Sequence, residues 1–155
     1  MTATATLTRS YAYDLDTAQL YNILKLRAEV FVIEQKSSYQ DLDGLDLLPE
    51  TRHLWLTENG QVIAYLRLSE QHEDGKSFLI SRVCTAPEHR GQGHTTRLLR
   101  TALADVGGDP CRMNAQSYLV DMYTKHGFRP DGPEFDEAGV PHVPLRRGGG
   151  DPWKE

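Results

Sequence analysis

Val83-Cys84-Thr85-Ala86-Pro87-Glu88-His89-Arg90-Gly91-Gln92-Gly93-His94-Thr95 is the stretch on which the fold turns. It opens on the end of an apolar run, 78–85, that reads as a strand. It closes on a helix whose Leu98, Leu99, Ala102 and Leu103 share one face. Between them lies a short glycine-containing loop. A helix start carries backbone N–H groups without partners and a partial positive charge. Glycines let an anion approach that backbone, so a strand–loop–helix of this kind is a diphosphate site. No Gly-Lys-Ser/Thr follows, which excludes a Walker loop. The third glycine and downstream acid of the dinucleotide fingerprint are missing too. Taken alone, the loop also fits a plain strand-to-helix turn.

Working outward, residues 5–13 alternate weakly as a first strand. Asp16 then offers an N-cap to a helix of about four turns carrying Leu20, Ile23, Leu24, Ala28 and Phe31. Residues 36–50, with Asp43-Gly44 and Pro49, read as a long loop. Strands over 53–57 and 61–69 flank Asn59-Gly60, a strong hairpin signal. A turn over 71–76 leads into strand 78–85. Beyond the helix, which Gly107-Gly108 and Pro110 end, come a short strand at 111–116 and a helix with Leu119, Met122, Tyr123 and His126. Gly127 caps that helix, and one or two short strands follow, near 128–129 and 140–145. The order β, α, three β, α, β, α, β predicts a mixed α/β domain with antiparallel hairpins feeding a βαβ unit. One domain is expected over 1–147, with a Gly-rich tail at 148–155.

Composition narrows the function. A net charge of −5 disfavours nucleic acid and mildly favours a cationic substrate. No apolar run is long enough to span a membrane. The amino terminus has no signal-peptide pattern, so the cytoplasm is the expected compartment. Cys84 and Cys111, with no CxxC, read as free thiols in apolar surroundings rather than as nucleophiles. The six histidines are scattered without zinc spacing, so no metal is expected.

The loop, read as Arg90-Gly91-Gln92-Gly93-His94-Thr95, resembles motif A of the GCN5-related N-acetyltransferase (GNAT) superfamily, the Q/R-x-x-G-x-G/A coenzyme A loop. Tyr123-Thr124-Lys125-His126-Gly127-Phe128 resembles motif B. Three further stretches are similar to the ElaA-like branch: residues 26–35, 39–46 and 135–142. Thr95, His94, Ser37 and Ala138 depart from the pattern, which has Gly or Ala, an apolar residue, Cys and an acid at these positions.

The resemblance implies a GNAT acyl-CoA N-acyltransferase fold with a mixed sheet of six or seven strands, helices on both faces, and strands splayed near 83–85 and 111–116. It implies transfer of acetyl from acetyl-CoA to an amine-bearing small molecule or peptide by direct attack. Val83, Cys84, Thr85, Arg90, Gly91, Gln92, Gly93, His94 and Thr95 would hold the coenzyme, with Arg90 adding a charge-assisted bond. Gln116 would hold the pantetheine arm, and a backbone N–H of Val83 or Cys84 would serve the oxyanion. Tyr123 is the expected proton donor to the leaving thiolate, with core packing against Leu119 and Met122 as the alternative. Glu34 is the expected base or substrate anchor, and His142 a second candidate. Arg82 and His142 are expected at the acceptor side. A homodimer is compatible with these features, as is a catalytically silent acyl-CoA-binding module on the same fold.

Overall fold

Asp16 starts the first helix as its sequence predicts. Its carboxylate accepts from Gln19 N–H at 2.7 Å, and the Gln19 side chain accepts in return from Asp16 N–H. The computed structural model describes residues 4–148, so the expected tail falls, beyond Gly148, outside the described residues. Helix α1 spans Thr17–Ala28 and then widens into a π-helix over Glu29–Glu34, a rare form often found at functional sites. The periodicity predicted one continuous helix. The widening changes which residues of 29–34 share the inner face, leaving Val30 buried and Glu34 exposed.

The strands are β1 Thr6–Tyr11, β2 Thr51–Glu58, β3 Gln61–Gln71, β4 Ser77–Thr85, β5 Cys111–Gln116, β6 Arg129–Pro130, β7 Phe135–Glu137 and β8 Val140–Arg147. They form one mixed sheet in the order β1-β2-β3-β4-β5-β8-β6, with β7 paired to β8 off this path. The seven-strand path meets the expectation, and the three-residue β7 extends it. Helix α2 spans His94–Val106, and the short α3, Val120–Thr124, follows a 3-10 turn. Asn59 and Gly60 both take positive φ, as a type I′ hairpin turn requires.

Side chains alternate across the sheet. Leu54 and Leu56 of β2, with Leu66 and Leu68 of β3, meet Leu98, Leu99 and Ala102 of α2 on one face. Trp55 and Tyr65 meet Ile23, Leu26 and Val30 on the other. Helices therefore cover both faces, and the core lies in two layers.

A buried charge network was not legible in the sequence. Arg27, 0% exposed, donates to Asp41 Oδ2 at 3.0 Å and to both oxygens of Asp46. Arg67, 1% exposed, donates to Asp43 and to Asp46. These pairs tie the loop 36–50 to α1 and β3. His53 adds a brace: its Nε2 faces the Asp46 carbonyl at 2.9 Å and its Nδ1 faces the Tyr65 hydroxyl at 2.7 Å. The carbonyl can only accept, so Nε2 carries the proton and Tyr65 donates to Nδ1.

Removing one partner of such a network leaves buried charge uncompensated. Arg27→Met should cost about 3 kcal/mol or more in urea unfolding at pH 7. Arg9→Met, at the exposed pair with Asp105, should cost about 1 kcal/mol or less. Acid should act on the same network. Burial alone would raise the Asp43 carboxyl, but hydrogen bonds from Arg67 and Leu45 more than offset it and hold the group down at about 2. A depressed carboxylate contributes stability above its unfolded value, and that contribution is lost as pH falls through the folded one. Asp43→Asn should therefore flatten the fall in stability between about pH 4 and pH 2.

Candidate active site

Strands β4 and β5 are parallel, and their pairing is brief. Only Phe78–Cys111 and Leu79–Arg112 are in register. Beyond them the strands separate, as expected near 83–85 and 111–116. A β-bulge lies at this point. Between the pairs Arg67–Ser81 and Tyr65–Cys84, β4 has one more residue than β3, and Arg82 takes a φ of 58°. The opening is a cleft of about 800 Å³. Val83, Cys84 and Thr85 line it from β4; Asn114 and Gln116 from β5; and Gly91, Gly93, His94 and Thr95 from the loop. Glu34, Tyr118, Tyr123, Glu137 and His142 also face it.

The loop closes one end of the cleft. Gly91 and Gly93 take φ of 75° and 81°, a region costly for residues with a Cβ. Gly93 is the N-cap of α2, so the helix begins where its first N–H groups face the cleft end. Thr95 does not stand free: its hydroxyl lies 3.3 Å from that of Thr85. Arg90 is also engaged. Its Nε donates to the Thr85 carbonyl at 3.0 Å, and its two terminal nitrogens grip Glu34 at 2.6 Å each. That fork holds the Glu34 carboxyl below its ordinary range. Glu34 is thus a persistent anion joined to the loop.

Tyr123 is 3% exposed and stacks edge-on against Phe128 at 6.3 Å. Gly127, at φ 91°, ends the helix and lets Phe128 fold back. Burial pushes the Tyr123 phenol above its usual range, so it stays protonated well beyond neutral pH. Cys84 and Cys111 are both buried, and burial raises both thiols, Cys111 to about 12.

At the other end, the Arg82 guanidinium lies 4.8 Å from the Tyr39 ring centre and contacts Asp41 and Asp43. His142 sits opposite Gln116 across β5–β8. Its Nδ1 donates to the Val140 carbonyl at 2.8 Å, which in the neutral ring leaves Nε2 as the acceptor. The Glu137 carboxylate lies 3.5 Å from that Nε2, and Phe135 stacks on the ring. Two of the residues that depart from the family pattern meet here: the Ser37 hydroxyl donates to the Ala138 carbonyl at 3.3 Å.

The expected residues from both ends of the chain thus line one cleft, except Gln92, which borders a separate hollow beside Glu58 and His94. Tyr39, Asp43 and Glu137, which lay in family-like stretches without an assigned role, also line the cleft, as does Asn114, which carried no signal. Outside its centre, Glu58, His89 and His94 bring their ligating atoms within 4.8 Å of one another, despite the scattered sequence positions of the histidines.

This architecture is that of the acyl-CoA N-acyltransferases, and the chain belongs to the GNAT family: the acetyltransferase (GNAT) domain model matches residues 17–147. Among relatives, a UPF0039 protein of Mycobacterium tuberculosis is 56% identical over 148 residues, covering 94% of this chain and 95% of the relative. Protein ElaA of Escherichia coli is 34% identical over 138 residues, covering 86% and 90%. Of solved structures, an acyl-CoA N-acyltransferase from Pseudomonas aeruginosa superposes with a TM-score of 0.87 at 36% identity, covering 94% of this chain and 100% of that one. The crystal structure of E. coli ElaA superposes with a TM-score of 0.86 at 32% identity, covering 93% and 99%. Among the described residues, no helix is long and apolar enough to cross a membrane.

Raised and buried thiols make poor nucleophiles. Iodoacetamide at pH 8 should leave both cysteines unmodified in the folded protein and label both in denaturant, as read by intact mass. Rapid labelling of Cys84 in the folded protein would contradict its burial.

Proposed function

We propose that the protein transfers an acetyl group from acetyl-CoA to the amine of a cationic small molecule or peptide by direct attack. The observation that supports this most is the single cleft with an anion-binding helix start at one end and a protonated, buried tyrosine within it.

In this reading the diphosphate rests on the backbone N–H groups of 91–95, and Gln116 faces the pantetheine arm. Arg90 contributes by fixing the loop to Thr85 and Glu34, which take three of its five N–H donors. The thioester lies along the unpaired edge of β4, where an N–H of Val83 or Cys84 steadies the carbonyl oxygen as charge grows on it.

The acceptor ammonium binds between His142 Nε2 and Glu137. Two hydrogen-bond acceptors face each other there, and an N–H cation satisfies both. His142 takes one proton from the ammonium. The freed nitrogen attacks the carbonyl carbon, and the carbon–sulfur bond breaks as the tetrahedral adduct collapses. Tyr123 gives its proton to the leaving thiolate, and the surplus proton on nitrogen restores the phenol. Glu34, held as an anion by Arg90, is assigned to positioning rather than to proton transfer, and Arg82 shapes the acceptor wall with Tyr39. One domain through residue 147, acting in the cytoplasm, completes the proposal.

The test is an amine and peptide panel with acetyl-CoA, read as free thiol. Tyr123→Phe should remain folded, bind acetyl-CoA almost normally, and lose about 10²-fold in kcat. His142→Gln should lower turnover to a similar degree while acetyl-CoA binding persists. Gly93→Glu should weaken acetyl-CoA binding at least about tenfold, about 1.4 kcal/mol. Binding without transfer to any amine would identify a silent acyl-CoA-binding module instead.

A further inference from the structure

Glu58 ends β2, just before the Asn59-Gly60 turn. His89 ends the 3-10 turn Pro87–His89, and His94 is the first residue of α2. The two left-handed glycines, Gly91 and Gly93, turn the intervening loop back on itself. As a result His94 returns against His89, with ring centres 6.3 Å apart. One ligating atom each from Glu58, His89 and His94 lies within 4.8 Å of the others, and all three residues are half-buried.

We propose that these three residues form a binding site for a divalent transition metal of the zinc class. Two imidazoles and one carboxylate are a donor set that suits zinc, cobalt or nickel, with metal–ligand distances of about 2.0–2.2 Å. Ligands around such an ion lie closer together than 4.8 Å, so small side-chain rotations suffice to close the site. The three groups are not spent elsewhere. Among the described residues, the Glu58 carboxylate makes no ion pair or side-chain hydrogen bond. The His89 ring has one ring partner, His94, and no side-chain hydrogen bond or ion pair; His94 has one long hydrogen-bond contact of 3.3 Å, to Gln92 Oε1. That amide oxygen is near enough to become a fourth ligand. An open hollow of about 310 Å³, bordered by Glu58, Gln92 and His94, has room for water to complete the shell.

The ion would join three separate segments: the β2–β3 hairpin, the turn after β4 and the start of α2. It would bracket the loop from Arg90 to Gly93 from outside. Its ligands are protein side chains, so its readout needs neither substrate nor acetyl-CoA.

The experiment is calorimetric titration of zinc chloride into tag-free, chelator-stripped full-length protein, beside thermal melts with and without the metal. The expected result is one ion per chain at micromolar affinity or tighter, with a raised melting temperature. Glu58→Gln, which keeps the shape but loses the charged donor, and His94→Ala should each weaken binding at least tenfold. Metal-free melts of both variants verify folding. Glu70→Gln, in the separate Glu50–Glu70–His72 cluster, should leave affinity and stoichiometry unchanged. Zinc affinity unaltered in folded Glu58→Gln, or no binding by the parent protein at millimolar zinc, would overturn the assignment.

Discussion

The parting of β4 from β5 is the constraint on which the site depends. Two parallel strands that stayed paired to their ends would bury their edge groups in each other and leave no cleft. Here pairing stops after Leu79 and Arg112, and the bulge at Arg82 turns the rest of β4 away. A positive φ at a long-chain residue is disfavoured, and it persists only where surroundings fix it. The surroundings are visible: Arg82 reaches Asp41 and Asp43 and lies against Tyr39. The side chain at the strained position is held by the loop that walls the cleft.

That loop depends in turn on buried charge. Residues 36–50 contain no regular element, so few backbone bonds hold them. Arg27 and Arg67 instead grip Asp41, Asp43 and Asp46 from beneath. Each arginine presents a planar fork matched to carboxylate geometry, which confers direction as well as attraction. The same logic ties the end of the π-helix to the loop before α2 through Arg90 and Glu34.

Much of the fold was legible because periodicity and turn chemistry act locally. Asp16, Asn59-Gly60, Gly93, Gly107 and Gly127 each marked a boundary that the structure keeps. The π-helix was not legible, since one extra residue in a turn leaves the apolar pattern nearly intact. Strand β7 was missed because three residues are too few to show alternation. Nothing in the local sequence marks Arg27 as buried, and only the later Asp41 and Asp46, brought in by the fold, explain its burial. The pairing of Glu34 with Arg90 joins residues 56 apart in the chain and has no trace in local sequence. Glu58, His89 and His94 meet for the same reason: the contact is made by loop geometry rather than by spacing.

Amide hydrogen exchange with and without acetyl-CoA tests the central assignment of the cleft most directly, because it reports where the ligand orders the backbone. Slowed exchange confined to residues 83–85 and 91–96, with the β1–β2 edge unchanged, is the predicted result. Protection elsewhere with none at 91–96, at acetyl-CoA concentrations that saturate binding, would contradict it.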